Sequence, residues 1–182
     1  MYFTRKPKHY LLAAVAAALI GAVAAVAILL ASPGSGKAAP VEVRRGNETV
    51  QVGTLAEALR KASELAGFEV RAPSHLPQGY SITAISIPPS NQFGPFMSVE
   101  AQVMGAGSGF TFEQTSTRFV VSATAQRLDS PNPRVELFRD EVDYGVVYTL
   151  LTPSRGYSLN MVKPFVLPQE DAVKVLSSLP AD

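Results

Sequence analysis

The chain has 182 residues, no cysteine and a formal net charge of +1, and 47% of its residues are hydrophobic. The absence of cysteine excludes thiolate catalysis and cysteine-ligated zinc. Arg5, Lys6 and Lys8 are three of the 16 basic residues, so the rest of the chain has a net charge of −2. With no basic stripe and this charge balance, we expect no nucleic-acid partner.

Residues 10–31, YLLAAVAAALIGAVAAVAILLA, form an uncharged run that predicts a transmembrane helix. A helix of this length extends about 33 Å, slightly more than the hydrocarbon layer of about 30 Å. Its Leu, Ile and Val residues together favour insertion by about 3–6 kcal/mol. A cleaved secretory signal is the alternative, but a signal core usually has only about 7–15 apolar residues.

The distribution of basic residues around this run predicts its orientation. Three basic residues precede the span, whereas Lys37 is the only one that follows closely. The positive-inside rule therefore places residues 1–9 in the cytoplasm as a short tail. Residues 32–40, rich in Gly, Pro, Ser and Ala, form a flexible linker, and residues 41–182 form one extracytoplasmic domain. We expect a single-pass protein of the cell membrane.

Small residues within the span suggest a second, weaker interaction. Ala17, Gly21 and Ala25 are four residues apart and would form a flat strip on one helix face. Such strips permit close approach of two transmembrane helices. Weak self-association is one interpretation, and chance in an alanine-rich helix is the other.

The first part of the domain has two clear local signals. Residues 41–52 alternate around Gly46-Asn47, which predicts a short hairpin. Thr54 and Glu57 then form a capping box, and Gly67 provides a left-handed stop. The apolar spacing between them predicts a helix over Leu55–Ala66.

Most of the remaining domain has the alternation and turn chemistry of β-strands. The predicted strands are 68–72, 81–87, 97–104, 110–115, 118–127, 134–139, 144–151 and 157–162. A register change is expected near Ile85. Pro168 begins a last helix that directs Ala172, Val173, Leu176 and Leu179 inward and ends before Pro180. The pattern predicts an α+β domain with an antiparallel sheet packed by two helices.

The sequence offers few groups for catalysis or metal binding. Only His9 and His75 are present, and His75 lies in a proline-containing turn without a Gly-x-Ser-x-Gly motif. Asp140, Glu141 and Asp143 cluster in a predicted turn and could hold calcium, but the spacing of an EF-hand is absent. We expect no enzymatic activity, no metal and no cofactor.

The loop PPSNQFGPF, residues 88–96, is the first candidate for binding. Its Phe93 and Phe96 either fold back over the core or stay exposed as a ligand or partner loop. Both interpretations are compatible with the sequence.

Two strings in the domain carry a family resemblance: AGFEVRAPSHLPQGYSITAISI and, after several strand pairs, RGYSLNMVKPFVLPQEDAVKVLSSL. They resemble a bacterial extracytoplasmic domain-of-unknown-function family found on membrane-anchored anti-sigma-factor-like and sporulation or envelope lipoprotein-like proteins. The matching positions are Phe68, Pro73, Leu76, Pro77, Gly79, Tyr80, Tyr157, Leu159 and Leu176. The resemblance implies a curved sheet closed by helices, similar to half of a lipoprotein-carrier barrel, without catalytic residues. With only nine residues before the span, we expect no sequestration of a sigma factor by this chain.

Two functional hypotheses follow. The first is a membrane-tethered regulatory module that recognises a protein partner or an envelope ligand. The second is a carrier-like domain that encloses a lipid or lipopeptide. A carrier needs an unfilled apolar cavity, lined by residues such as Val99, Phe112, Val120, Val146 and Tyr148, whereas a partner-binding module would fill this volume with its own helices.

Overall fold

Nine short segments with alternating polar and apolar side chains build a single sheet. The structure is a computed structural model that describes residues 39–88, 98–105 and 107–180. The strands are β1 (Val41–Arg45), β2 (Glu48–Val52), β3 (Ser81–Ile87), β4 (Ser98–Gly105), β5 (Ser108–Thr115), β6 (Gln126–Leu128), β7 (Glu136–Val142), β8 (Gly145–Leu151) and β9 (Gly156–Val162). Two helices, α1 (Leu55–Ala66) and α2 (Gln169–Ser177), complete a mostly-sheet α+β domain.

The strands are arranged in the order β2-β1-β3-β4-β5-β9-β8-β7-β6. All neighbours are antiparallel except β1 and β3, which are parallel. The expected antiparallel sheet is thus confirmed for all but one pair of neighbouring strands, and this parallel pair makes the sheet mixed. The hairpin places β2 on one side of β1, and the chain then crosses through α1 and pairs β3 with the other side of β1. A helical crossover of this kind joins parallel strands.

The predicted hairpin turn and the predicted ends of α1 are confirmed. Gly46, at the first position of the two-residue hairpin loop, has φ 57°, as a type II′ turn requires. Thr54 is the N-cap of α1, and its side chain accepts a hydrogen bond from the Glu57 N–H at 3.2 Å. Gly67 ends α1 in the left-handed conformation, and α1 has the predicted bounds.

Both helices lie on one face of the sheet and contribute to one core. Helix α1 packs on β1 and β3 through Ala58 and Ala62, and α2 packs on β8 and β9 through Val175 and Leu176. The apolar positions of the strands face these helices, and the core is continuous across both. Val175, which the sequence pattern did not place inward, is fully buried. In β3 the register shifts between Ile82 and Ala84, so the expected irregularity is present but begins before Ile85.

Three segments differ from their predictions. Residues 68–72 form no strand, and side chains bond to their backbone. The Gln114 amide donates to the Glu69 carbonyl at 2.7 Å and accepts from the Arg71 N–H at 2.8 Å, and Ser63 Oγ accepts from the Val70 N–H at 2.8 Å. Residues 118–125 are irregular. Only residues 126 and 127 of the strand predicted over 118–127 are extended, and together with Leu128 they form β6, which pairs with β7. Asp140 and Glu141 lie within β7 rather than in a turn. Because successive side chains of a strand point to opposite faces of the sheet, these two carboxylates point apart.

The predicted N-terminal span at 10–31 lies outside the described residues, as does most of the linker. Among the residues that the structure does describe, neither helix is long and apolar enough to cross a bilayer.

Candidate functional site

The order of the strands forces one connection to cross the sheet. β5 and β6 are consecutive in sequence, yet β9, β8 and β7 lie between them. Residues 116–125, here called the crossing segment, must therefore pass over three strands. They pass over the face opposite the helices, here called the open face, whose central cross-strand row is Glu100, Glu113, Ser158, Thr149 and Phe138.

The crossing segment and the open face enclose two adjoining grooves. One has a volume of about 250 Å³ and the other about 430 Å³. Glu113 and Phe119 line both of them. The smaller groove extends over β9, β8 and β7, where it is lined by Val147, Ser158 and Asn160. The pair forms the candidate binding site.

Three contacts hold the crossing segment over the sheet. The Thr124 hydroxyl donates to Asp140 Oδ1 at 3.0 Å, and Arg118 pairs with Glu136 at 3.3 Å. The ring of Phe119 occupies the space next to Gly156, since a Cβ atom added there would lie 2.3 Å from its Cδ2 atom. The side chains at both ends of the segment are thus attached to the sheet, while Val120 between them is 99% exposed.

Glu113 is the acidic residue that the two grooves share, and Glu100, Asp140 and Arg118 are the other charged residues that line them. Glu113 is partly buried and lies directly opposite Glu100 across β4 and β5. Burial raises the pKa of Glu113 above its usual value of 4.5, and the negative charge of Glu100 raises it further. Hydrogen bonds from Ser158, whose Oγ lies 3.4 Å away, and from Asn160 act in the opposite direction on this pKa.

This arrangement can bind a ligand through both polar and apolar contacts. Glu113, Ser158 and Asn160 provide hydrogen-bonding groups at the base of the grooves, and Phe119 and Val120 provide apolar surface above them. A carboxylate that lies next to another carboxylate in a partly buried cleft favours binding of a cationic group, because the cation offsets the repulsion between the two negative charges.

The residues that the sequence singled out lie elsewhere. Phe93, Phe96, Ala17, Gly21 and Ala25 are outside the described residues. His75 is exposed, and its backbone N–H donates to Ser178 Oγ at 3.1 Å. Asp140 bonds to Thr124, and Glu141 pairs with Arg139. Across the described ranges, no group of three or more His, Asp or Glu side chains converges as a metal site.

The residues proposed to line a carrier cavity are split between the two faces. Val99, Phe112, Val146 and Tyr148 are buried in the core beneath the helices. Val120 lies on the crossing segment and is exposed on the other side of the sheet. The predicted set therefore does not line one common cavity.

Sequence reasoning missed Glu113, Ser158 and Asn160. The alternation in β5 and β9 did indicate that these positions face away from the core. The sequence did not reveal that β5 pairs with β9. This pairing places Glu113 directly opposite Ser158, about 45 positions further along the chain.

Comparison with known proteins gives no further assignment. No protein-family model matches the chain, and no curated protein is significantly similar to it. The fold and the grooves define a mostly-sheet α+β domain with two grooves on its open face.

Proposed function

We propose that the chain is a non-catalytic, membrane-tethered binding module of the cell envelope. In this proposal, residues 10–31 anchor the chain in the bilayer, residues 1–9 stay in the cytoplasm, and the domain lies on the extracytoplasmic side. The domain binds a protein partner in the grooves beneath the crossing segment. The curved half-barrel and the relation to anti-sigma-factor-like proteins belong to the same proposal, and the resemblance of the turn and core residues supports them.

The observation that carries the proposal is the pair of grooves around Glu113. The Glu113 carboxylate lies opposite Glu100, and the exposed Val120 lines the same grooves. A partner segment with a Lys or Arg side chain next to an apolar residue would satisfy both features. We therefore favour a protein segment of this composition as the ligand.

The packing of the core argues for this function over the carrier-like alternative. Phe112 and Tyr148 are 2% exposed, and Phe112 stacks with Tyr157 at a centroid distance of 6.0 Å. The volume that an acyl chain would need beneath the helices is thus filled by the side chains of the domain. The alternative predicts that a lipid or lipopeptide copurifies with the detergent-free domain from Val41 onward, which mass spectrometry would detect.

Site-specific photo-crosslinking in cells tests the favoured function. A photoreactive side chain at position 120 should give one discrete protein adduct, and Glu113→Lys should abolish it because the like charges of partner and groove then repel. The matched controls are a photoreactive side chain at Val50, an exposed residue on the edge strand β2, and the charge reversal Glu48→Lys on the same strand.

The outcomes separate the hypotheses. An adduct from position 120 that survives Glu48→Lys but not Glu113→Lys supports the proposed site. An adduct that is insensitive to Glu113→Lys, or that forms equally from position 50, contradicts it. A lipid that copurifies with the domain, without any protein adduct from position 120, would favour the carrier-like alternative.

A further inference from the structure

One end of the sheet carries most of the exposed apolar surface. Six large hydrophobic residues are exposed among the described residues, and four of them lie at this end: Met104, Tyr144, Val162 and Phe165, which are between 42% and 64% exposed. We call this set the apolar end. Exposed apolar groups concentrated in one place mark an interaction surface, whereas scattered ones need no explanation.

Strand pairing and turns bring these four residues to the same end. Met104 pairs with Gly109 where β4 and β5 meet, and Val162 pairs with Gly145 where β8 begins. The Lys163 N–H donates to the Tyr144 carbonyl at 2.9 Å, and the Phe165 N–H donates to the Val162 carbonyl at 2.9 Å. Tyr144, Val162 and Phe165 are therefore neighbours in two linked turns.

The opposite end of the sheet is charged. Arg118 pairs with Glu136 at the start of β7. Arg155, just before β9, donates to the Glu69 carbonyl at 2.9 Å and lies 3.8 Å from the Glu69 carboxylate, which also pairs with Arg71. One end of the sheet thus carries paired charged side chains, and the other end exposes large apolar side chains.

The chain enters the domain at the apolar end. β1 is parallel to β3, and Ser81 at the start of β3 pairs with Met104. Val41, the first residue of β1, therefore lies at the same end of the sheet as Met104. The nine residues 32–40 that connect the predicted span to β1 reach at most about 30 Å even when fully extended.

From these observations we propose that the apolar end rests on the surface of the lipid bilayer. The inference rests on the proposed tether, because the tether brings this end of the domain within reach of the membrane. Tyrosine is favoured at the membrane interface, and exposed valine, methionine and phenylalanine gain free energy from burial at the acyl boundary. The exposed charges within the two turns, Lys163 and Asp143, have opposite signs, and Glu141 nearby is paired with Arg139, so contact does not require anionic lipid.

In this arrangement the membrane contact and the partner site are separate. The crossing segment begins after Thr115, at the charged end, and attaches to the open face through Phe119 and Thr124. The bilayer would thus fix the orientation of the domain while the grooves stay accessible to a partner.

The absence of tryptophan from the chain permits a direct test. The full chain carrying Phe165→Trp is reconstituted in phosphatidylcholine vesicles, with or without bromine on the acyl chains. We expect a blue-shifted emission and about twofold quenching by brominated lipid, because interfacial side chains lie roughly 5–10 Å into the headgroup and acyl boundary. Tyr144→Trp should behave alike, and raising the salt concentration should change neither result. Val50→Trp and Val120→Trp, both exposed elsewhere, are the matched controls and should not be quenched.

Each result has one interpretation. Quenching at positions 144 and 165 but not at 50 and 120 supports the contact. If the chain floats with the vesicles and resists carbonate, but positions 144 and 165 are unquenched, the tether stands and the bilayer contact fails. A blue shift without quenching indicates that a second copy or another protein covers the apolar end, and it also overturns the inference. If the chain does not float with vesicles, both the tether and the contact are wrong.

Discussion

The Gln114 side chain bonds to two backbone groups of the segment 68–72, the Glu69 carbonyl and the Arg71 N–H. It is 1% exposed and joins β5 to the segment that follows α1. A buried amide with both of its functional groups bonded to main-chain atoms fixes a segment that has no ladder of its own.

Gln114→Ala should lower the free energy of unfolding by about 2–3 kcal/mol, because two hydrogen bonds are lost and buried backbone groups lose a partner. Urea unfolding followed by circular dichroism measures this change. Gln102→Ala, on the exposed side of β4, is the control and should stay within about 0.5 kcal/mol of the wild type. Equal effects of the two substitutions would contradict the role given to Gln114.

Glu113 links the binding grooves to pH. Its pKa is raised in the folded state, so the folded protein holds the proton at pH values where the unfolded chain has lost it. The resulting stability is fully present below about pH 4.5 and is lost as the pH rises through the folded pKa.

Glu113→Gln should therefore unfold at higher urea than the wild type at pH 7, and this difference should disappear below about pH 4.5. Glu48→Gln, which removes one carboxylate from the exposed strand β2, is the matched control for the loss of a negative charge. In the same way, Glu100→Gln should shift the Glu113 titration, followed by NMR, toward lower pH, since one cause of the raised pKa is removed. A Glu113 titration that is unaffected by Glu100→Gln would exclude their coupling.

At the scale of elements, close approach of β8 and β9 depends on a glycine. A Cβ atom added at Gly145 would lie 1.9 Å from the Met161 carbonyl oxygen. A backbone atom cannot move aside as the end of a flexible side chain can. The pairing at this end of β8, which also positions Tyr144 and Val162, therefore requires glycine.

Gly145→Ala should cost about 3 kcal/mol of stability, measured by urea unfolding, because the strands must separate to admit the methyl group. Gly53→Ala is the matched control: no atom lies within 4 Å of the added Cβ, and its backbone is not in the left-handed region. A loss at position 53 as large as at position 145 would show that the cost comes from something other than the clash.

At the scale of the whole molecule, the proposed tether matters most. The proposed function and the bilayer contact both depend on insertion of residues 10–31. The predicted insertion energy is modest because ten of these residues are alanine.

Two charges in the span should abolish insertion. Leu19→Lys combined with Val23→Lys adds about 5–7 kcal/mol, whereas the Leu, Ile and Val residues that remain favour insertion by only about 2–5 kcal/mol. The double variant should appear in the carbonate-soluble fraction, whereas the wild type should stay in the membrane pellet. Thr4→Lys with Pro7→Lys, outside the span, adds the same charge and should leave the chain in the membrane. Release of the wild type by carbonate would contradict the tether.

The sequence by itself determined the elements whose signals are local. The hairpin turn at Gly46, the N-cap Thr54 and the stop at Gly67 depend on residues within one turn of each other, and these predictions were confirmed. Alternation likewise located six strands, β3–β5 and β7–β9, to within a few residues. The same alternation misplaced 68–72 and 118–125, because period alone does not reveal whether a partner strand is present.

Only the tertiary structure decided the strand order, and with it the candidate site. Placing β9 beside β5 brings Glu113 next to Ser158, and placing three strands between β5 and β6 sends the crossing segment over the open face. The parallel pairing of β1 and β3 brings the start of β1 to the apolar end. Each of these results depends on contacts between residues far apart in sequence, which local hydrogen bonding and hydrophobic period do not encode.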